Sequence, residues 1–158
     1  MMVALGATVR LTSADGEREV PATDLYAGED GRKWMTRRPD EVMTDIIIPN
    51  QNGARTVYKK LRRRETFDFP VLGVAARIVM NGEVKSASLI LGAVGPVPVR
   101  AEAAEEILLG STLDDETIEK AAKLAQKAAT PLDNTDFAFP WRRQMVPVFV
   151  RRALASLR

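Results

Sequence analysis

The chain is 158 residues long, carries a formal charge of +2, and contains neither cysteine nor histidine. That length supports one domain of ordinary size, with a core that needs no covalent or metal staple. The missing residue types exclude disulfides, cysteine-ligated iron–sulfur centres, catalytic thiolates, Cys/His zinc sites and imidazole proton shuttles, leaving carboxylates, lysine, tyrosine and hydroxyls for acid–base work.

Residues 4–12 alternate in part and are rich enough in β-branched side chains to predict a strand. Asp15-Gly16 then turns the chain before Arg18-Glu19-Val20-Pro21, which predicts a short hairpin. Residues 22–40 mix Gly28, Gly31 and Pro39 with charged side chains and read as a short helical turn followed by loop. Val42-Met43-Thr44-Asp45-Ile46-Ile47-Ile48 is a predicted strand stopped by Pro49. The polar stretch Asn50-Gln51-Asn52-Gly53 separates it from another predicted strand over residues 55–61, and residues 50–54 are the best candidate for a domain boundary.

Residues 71–80 and 83–91 are predicted to form a β-hairpin, because Asn81-Gly82 readily takes the positive φ angles of a two-residue turn. Together with residues 55–61 they make a three-stranded antiparallel sheet with one face to bury. Residues 92–98 form a loop, and residues 101–109 a short helix ended by Gly110. Thr112-Leu113-Asp114-Asp115 has capping-box spacing. Ile118, Ala121, Ala122, Ala125 and Ala129 then recur at helical spacing, and Pro131 ends that helix. Pro140 starts the last helix, on which Trp141, Met145, Val148, Phe149 and Ala153 define a predicted buried stripe. Pro147 inside it is expected to bend or divide the helix.

No apolar run approaches the roughly 20 residues needed to cross a bilayer. Met1-Met2-Val3-Ala4-Leu5 is too short for a signal peptide, so a cytoplasmic protein is expected. Charge is uneven: Arg62-Arg63-Arg64, Arg142-Arg143 and Arg151-Arg152 flank an acidic stretch of Glu102, Glu105, Glu106, Asp114, Asp115 and Glu116. This layout suits a protein–protein face better than a nucleic-acid footprint, which needs a more continuous basic surface.

Several places are candidates for chemistry. Gly92-Ala93-Val94-Gly95 follows a strand but matches no phosphate-binding glycine motif, so it reads as turn geometry or as a contact to a cofactor or partner. In Arg62 to Asp68 an arginine clamps an anion and a phenylalanine covers a planar ring, or else the segment is a solvated loop with its rings in the core. Asp133-Asn134-Thr135-Asp136 has oxygen donors like a metal loop but lacks the calcium-motif spacing; an Asx-type turn explains it. Asp114 and Asp115 read as capping residues rather than a catalytic pair. Arg142, Arg143, Arg151 and Arg152 read as a solvated helix face, with a partner or phosphate contact as the alternative.

In order along the chain, Tyr58-Lys59-Lys60-Leu61-Arg62-Arg63-Arg64, Phe67-Asp68-Phe69-Pro70-Val71-Leu72-Gly73-Val74-Ala75-Ala76 and Leu91-Gly92-Ala93-Val94-Gly95-Pro96-Val97-Pro98-Val99-Arg100-Ala101 resemble the carboxy-terminal domain of the flavoprotein subunit of molybdenum hydroxylases. That family includes the medium subunit of carbon monoxide dehydrogenase, the β subunit of 4-hydroxybenzoyl-CoA reductase and the flavin part of xanthine dehydrogenase. The likeness continues through Leu113-Asp114, Trp141-Arg142-Arg143 and Val150-Arg151-Arg152-Ala153-Leu154. Residues 4–49 resemble the end of the flavin-binding region that precedes this domain. The family's last helix carries a tyrosine and is uninterrupted, where this chain has Trp141 and Pro147.

The resemblance implies an α+β fold, with a three- to four-stranded antiparallel sheet packed against C-terminal helices and preceded by a small β-rich segment. It divides the chain into residues 1–52, a remnant of the flavin-binding region, and residues 53–158, the flavoprotein C-terminal domain. It implies FAD as cofactor, although the family's FAD-cradling glycine loops lie in an amino-terminal portion that this sequence does not contain, so FAD binding by this chain alone is not expected. The implied partners are a molybdenum-cofactor-binding large subunit, a 2Fe-2S small subunit and that FAD-binding portion, with no nucleic acid and no membrane span. Lys60, Arg63, Phe67, Asp68, Gly92 and Gly95 are the implied cofactor-side residues, and none acts as catalytic acid or base. A stand-alone assembly module with the same fold and no FAD remains the alternative.

Overall fold

The computed structural model describes residues 1–28, 33–65, 67–133 and 137–158. The first hairpin forms as its pattern demands. β1 (Thr8–Ser13) and β2 (Gly16–Pro21) pair antiparallel with Ser13 opposite Gly16, so the loop is Ala14-Asp15 and Gly16 takes φ 133° beyond it. β3 (Val42–Ile47) pairs with β1, giving a three-stranded sheet in the order β2-β1-β3. Val9, Leu11, Val20 and Leu25 are buried on one face. On the other, Arg10 bridges both neighbouring strands, to Glu19 at 2.9 Å and Asp45 at 3.2 Å. Residues 22–25 form a hydrogen-bonded turn, and the chain returns through a Tyr26–Met35 bridge; Gly31 lies outside the described residues.

Glu41 organises that return, a role its sequence context did not signal. It is 2% exposed, and its carboxylate accepts from Arg18 Nε at 2.6 Å, Arg18 Nη2 at 3.0 Å and the Arg38 amide at 2.7 Å. The Arg18 hydrogen bond first, then the Arg38 amide, lower its pKa from the ordinary 4.5 to about 2. A depressed carboxylate stabilises the fold fully above its unfolded pKa, and that stability is lost as pH falls through the folded value. Thermal melts between pH 5 and 2 are therefore expected to show a stability loss that Glu41→Gln removes; identical pH profiles for the two proteins would contradict this role.

The second sheet runs β4-β5-β6-β7, all antiparallel: β4 (Ala54–Leu61), β5 (Leu72–Asn81), β6 (Glu83–Gly92) and β7 (Val99–Arg100). β7 falls just beyond the segment read as loop, too short for periodicity to reveal. The β5–β6 hairpin is tighter than a plain Asn-Gly turn. Asn81 pairs with Glu83 across Gly82 at φ 74°, and a register shift after Val79 leaves Lys85 as a bulge.

Leu72, Val74, Ala76 and Ile78 of β5, with Leu89 and Leu91 of β6, face the helices and form the main core. Three helices cover that face: α1 (Glu102–Leu108), α2 (Asp115–Ala128) and α3 (Phe139–Ala155). The predicted stripe of α2 is buried, and its alanines let α2 lie close to its neighbours. Its cap is Asp114, accepting from the Thr117 amide at 2.8 Å, and not Thr112. The reason is Leu113, fully buried at φ 57°, which turns the chain so that it enters the helix two residues later. Glu105, part of the acidic stretch, is also buried; it accepts from the Leu89 amide at 2.7 Å and Arg100 Nε at 2.8 Å, tying α1 to the sheet.

The buried stripe of α3 is rotated from the predicted one. Arg142, Val146, Phe149, Val150, Ala153 and Leu154 face inward, while Trp141 is 37% exposed and stacks on Phe137 with ring centroids 4.7 Å apart. Pro147 does not divide the helix. It has no N–H to offer the Arg143 carbonyl, and Gln126 of α2 donates its side-chain amide there instead, at 3.2 Å. No helix among the described residues is long and apolar enough to cross a membrane.

Candidate functional site

Strand register brings two of the sequence candidates, Lys60 and Gly92, to one end of the second sheet, with Gly73 between them. Lys60 on β4 pairs with Gly73 on β5, which pairs with Gly92 on β6, so one rung crosses three strands. Alternation places all three on the face away from the helices, because Val57 and Leu61 pack into the helix-side core. The Tyr58 ring lies over Gly73: a β-carbon there would sit 2.7 Å from Tyr58 Oη. Burial raises the Tyr58 phenol above its ordinary value. Gly92 is the more open of the two glycines, since a β-carbon would meet only Gly73 atoms, at 4.0 Å.

The loop of residues 62–70 leaves β4 beside this rung and returns at the Val71 amide, which donates to the Leu61 carbonyl at 2.9 Å. Asp68 folds it. Its carboxylate accepts from the amides of Arg63 and Arg64, both at 2.9 Å, and of Phe69 at 3.0 Å. These bonds, led by the Arg64 amide, hold the Asp68 pKa below the usual carboxylate range. With the backbone curled around Asp68, the aromatic rings point outward: Phe67 is 79% exposed and Phe69 78%, with centroids 6.4 Å apart at 61°. The reading that placed these rings in the core is thus overturned. Thr66 lies outside the described residues.

Gly95 has a packing reason of its own. A β-carbon would stand 2.6 Å from Val99 Cγ2, so the Val99 side chain fills the place of the missing methyl. Gly95→Ala is expected to cost about 1–3 kcal/mol through overpacking, read as a lowered midpoint in thermal or urea unfolding; an unchanged midpoint would show that Val99 yields freely.

The residue that sequence reasoning missed is Arg142, taken there for a solvated helix position. Its side chain is 2% exposed, and it donates to the Val71 carbonyl at 3.1 Å, the Leu132 carbonyl at 2.8 Å and the Ala93 carbonyl. Val71 closes the residue 62–70 loop and Ala93, at φ 62°, opens the 92–98 turn. One guanidinium therefore fixes both segments beside the Lys60–Gly73–Gly92 rung. Desolvation lowers its pKa somewhat from the ordinary arginine value, without discharging it.

The remaining arginines are mixed. Arg151 pairs with Glu119 at 2.8 Å, Arg152 covers the Phe149 ring at 5.3 Å, and Arg143 donates to the Gln126 carbonyl at 3.4 Å. Asp115 pairs with Arg158. Residues 134–136 of the oxygen-rich Asp133 segment lie outside the described residues.

The whole arrangement has known relatives. A profile of the CO dehydrogenase flavoprotein C-terminal domain matches residues 56–157. The glyceraldehyde dehydrogenase medium chain of Sulfolobus acidocaldarius is 33% identical over 99% of this chain and 55% of its own length. The carbon monoxide dehydrogenase medium chain of Afipia carboxidovorans is 33% identical over 98% of this chain and 53% of its own. Among solved structures, reconstituted CO dehydrogenase from Oligotropha carboxidovorans superposes with a TM-score of 0.86 at 32% identity, covering 99% of this chain and 54% of that one. The chain thus spans about half the length of the relatives it matches. It belongs to the CO dehydrogenase flavoprotein C-terminal domain family, the family of the FAD-binding medium subunits of molybdenum-hydroxylase-type oxidoreductases.

Proposed function

We propose that this chain forms a wall beside the flavin in the FAD-binding subunit of a molybdenum-hydroxylase-type oxidoreductase. In this reading residues 1–52 end the flavin-binding region, and residues 53–158 are the C-terminal domain that docks the molybdenum-cofactor-binding large subunit and the 2Fe-2S small subunit. The observation that carries it is the meeting, at one end of the second sheet, of Lys60, the Gly73–Gly92 rung and the outward Phe67 and Phe69, in a chain of this family.

The donor set fits one side of a flavin and not a complete site. Gly92 gives a place where a planar group approaches the backbone without meeting a side chain. Lys60 offers a cation beside it, Phe67 an apolar ring, and the Asp68 bonds keep the Arg63 backbone in one conformation. FAD, when bound, supplies the exchange of electrons between the iron–sulfur clusters and an external carrier. The chain's own residues position and shield; none is asked to move a proton. Glycine loops that cradle a pyrophosphate are supplied by the amino-terminal portion of such subunits.

The test supplies that portion in trans, as the amino-terminal part of a medium-chain relative, and follows flavin fluorescence during FAD titration. With this chain present, FAD affinity is expected to rise by about tenfold or more, and Lys60→Glu to remove most of the gain. A folded chain that leaves FAD affinity unchanged would reject the flavin-side reading in favour of an assembly module.

A further inference from the structure

Away from the glycine rung, the same sheet face carries a second feature. Arg77 of β5 pairs with Ser88 of β6 and lies four residues, roughly 13 Å, along the strand from Gly73. Its guanidinium is part-buried and held in place: Nε donates to Gln51 Oε1 at 2.6 Å and Nη1 to Ser86 Oγ at 3.3 Å. Both acceptors are neutral, and none of the described carboxylates forms an ion pair with Arg77. A guanidinium has five N–H donors and cannot shed its charge, so these two bonds orient the cation without neutralising it.

Arg77 lines a cavity of about 470 Å³ between the sheet and the amino-terminal segment. Thr23, Asn50, Gln51, Ser88 and Arg100 also line it, and no carboxylate does. Arg100, paired through Nε with Glu105 at 2.8 Å, is the second cation on the wall. The volume is in the range of small-ligand sites. The Thr23 hydroxyl donates to Asp24 and the Gln51 amide to the Leu5 and Pro49 carbonyls, which leaves the Ser88 hydroxyl and the Asn50 amide as donors beside Arg77. A fixed arginine without an ion pair, flanked by these two groups, matches an anion with several acceptor oxygens, and the fork geometry favours phosphate.

We infer that this cavity is a binding site for a phosphate group, held chiefly by Arg77 with Arg100 and Ser88 as further contacts. The ligand is either free phosphate or the phosphate of a nucleotide. The site lies apart from the Lys60–Gly73–Gly92 rung, so its failure and the failure of the flavin-side reading are separate results.

The experiment titrates inorganic phosphate into the full chain and follows the Arg77 side-chain Nε resonance, with chloride at matched ionic strength as control. A saturable shift with a dissociation constant below about 1 mM is expected. Arg77→Gln should weaken binding at least about tenfold, and Arg62→Gln, on the exposed loop, should not change it. Parallel titrations with adenosine monophosphate separate the sources: tighter binding than phosphate marks a nucleotide site, equal or weaker binding a site for free phosphate. A non-saturating shift, an equal response to chloride, or wild-type affinity in a folded Arg77→Gln protein would overturn the inference. The wild-type resonance decides the matter even where Arg77→Gln does not fold.

Discussion

Arg142→Met is expected to destabilise the protein by about 3 kcal/mol, since it leaves three carbonyls, one buried and two part-buried, without their charged donor at roughly 1 kcal/mol each. The carbonyls belong to Val71, Leu132 and Ala93, in three separate segments. Methionine fills much of the volume, so the loss reports hydrogen bonds and not a cavity. For a chain of this length the melting midpoint should fall on the order of 10 °C. Arg142→Lys keeps the charge but replaces a rigid fork by a single ammonium, which cannot reach three carbonyls in three directions; it should recover only a part of the loss. Equal midpoints for wild type and Arg142→Met would mean that the loops beside the glycine rung are held by other contacts.

Phe67→Ser combined with Phe69→Ser should do the opposite: leave stability within about 0.5 kcal/mol of wild type, as surface substitutions do, and weaken assembly about a hundredfold or more. Exposures of 79% and 78% leave the core nothing to lose from these rings. Aromatic anchors dominate interface energies, each worth on the order of 2 kcal/mol when buried by a partner. Their loop is pre-shaped by four hydrogen bonds to Asp68, so little ordering cost opposes binding. Melting curves and titration of the amino-terminal portion into wild type and double variant separate the two effects. Full affinity in the double variant would remove the rings from the interface.

These two sites also mark where the sequence was legible and where it was not. The hairpins, the Ala stripe of α2 and the antiparallel order of β4, β5 and β6 follow from periodicity and turn residues, because those elements bury one face by repeating pattern. Arg142 breaks that logic. An arginine on a helix reads as solvated, and only the three carbonyls brought together by tertiary structure make its inward position favourable. The consequence was a predicted α3 stripe through Trp141 and Val148 in place of Arg142, Val146 and Val150. Phe67 and Phe69 fail in the other direction, as apolar residues turned outward by a local carboxylate. Likewise Leu113 moved the α2 cap from Thr112 to Asp114 by adopting a positive φ that its residue type does not advertise.

The sheet of β2, β1 and β3 fits the same picture. β3 is an edge strand, yet Val42, Ile46 and Ile47 are exposed at 65%, 50% and 37%, an apolar edge of the kind proteins ordinarily cover.

The most direct measurement is to isolate the tagged chain from its own cells under gentle lysis and determine flavin, iron and molybdenum in the purified material. The proposed role predicts a multisubunit complex containing all three, from which Phe67→Ser with Phe69→Ser releases the chain. A solitary, folded monomer carrying none of them would contradict it.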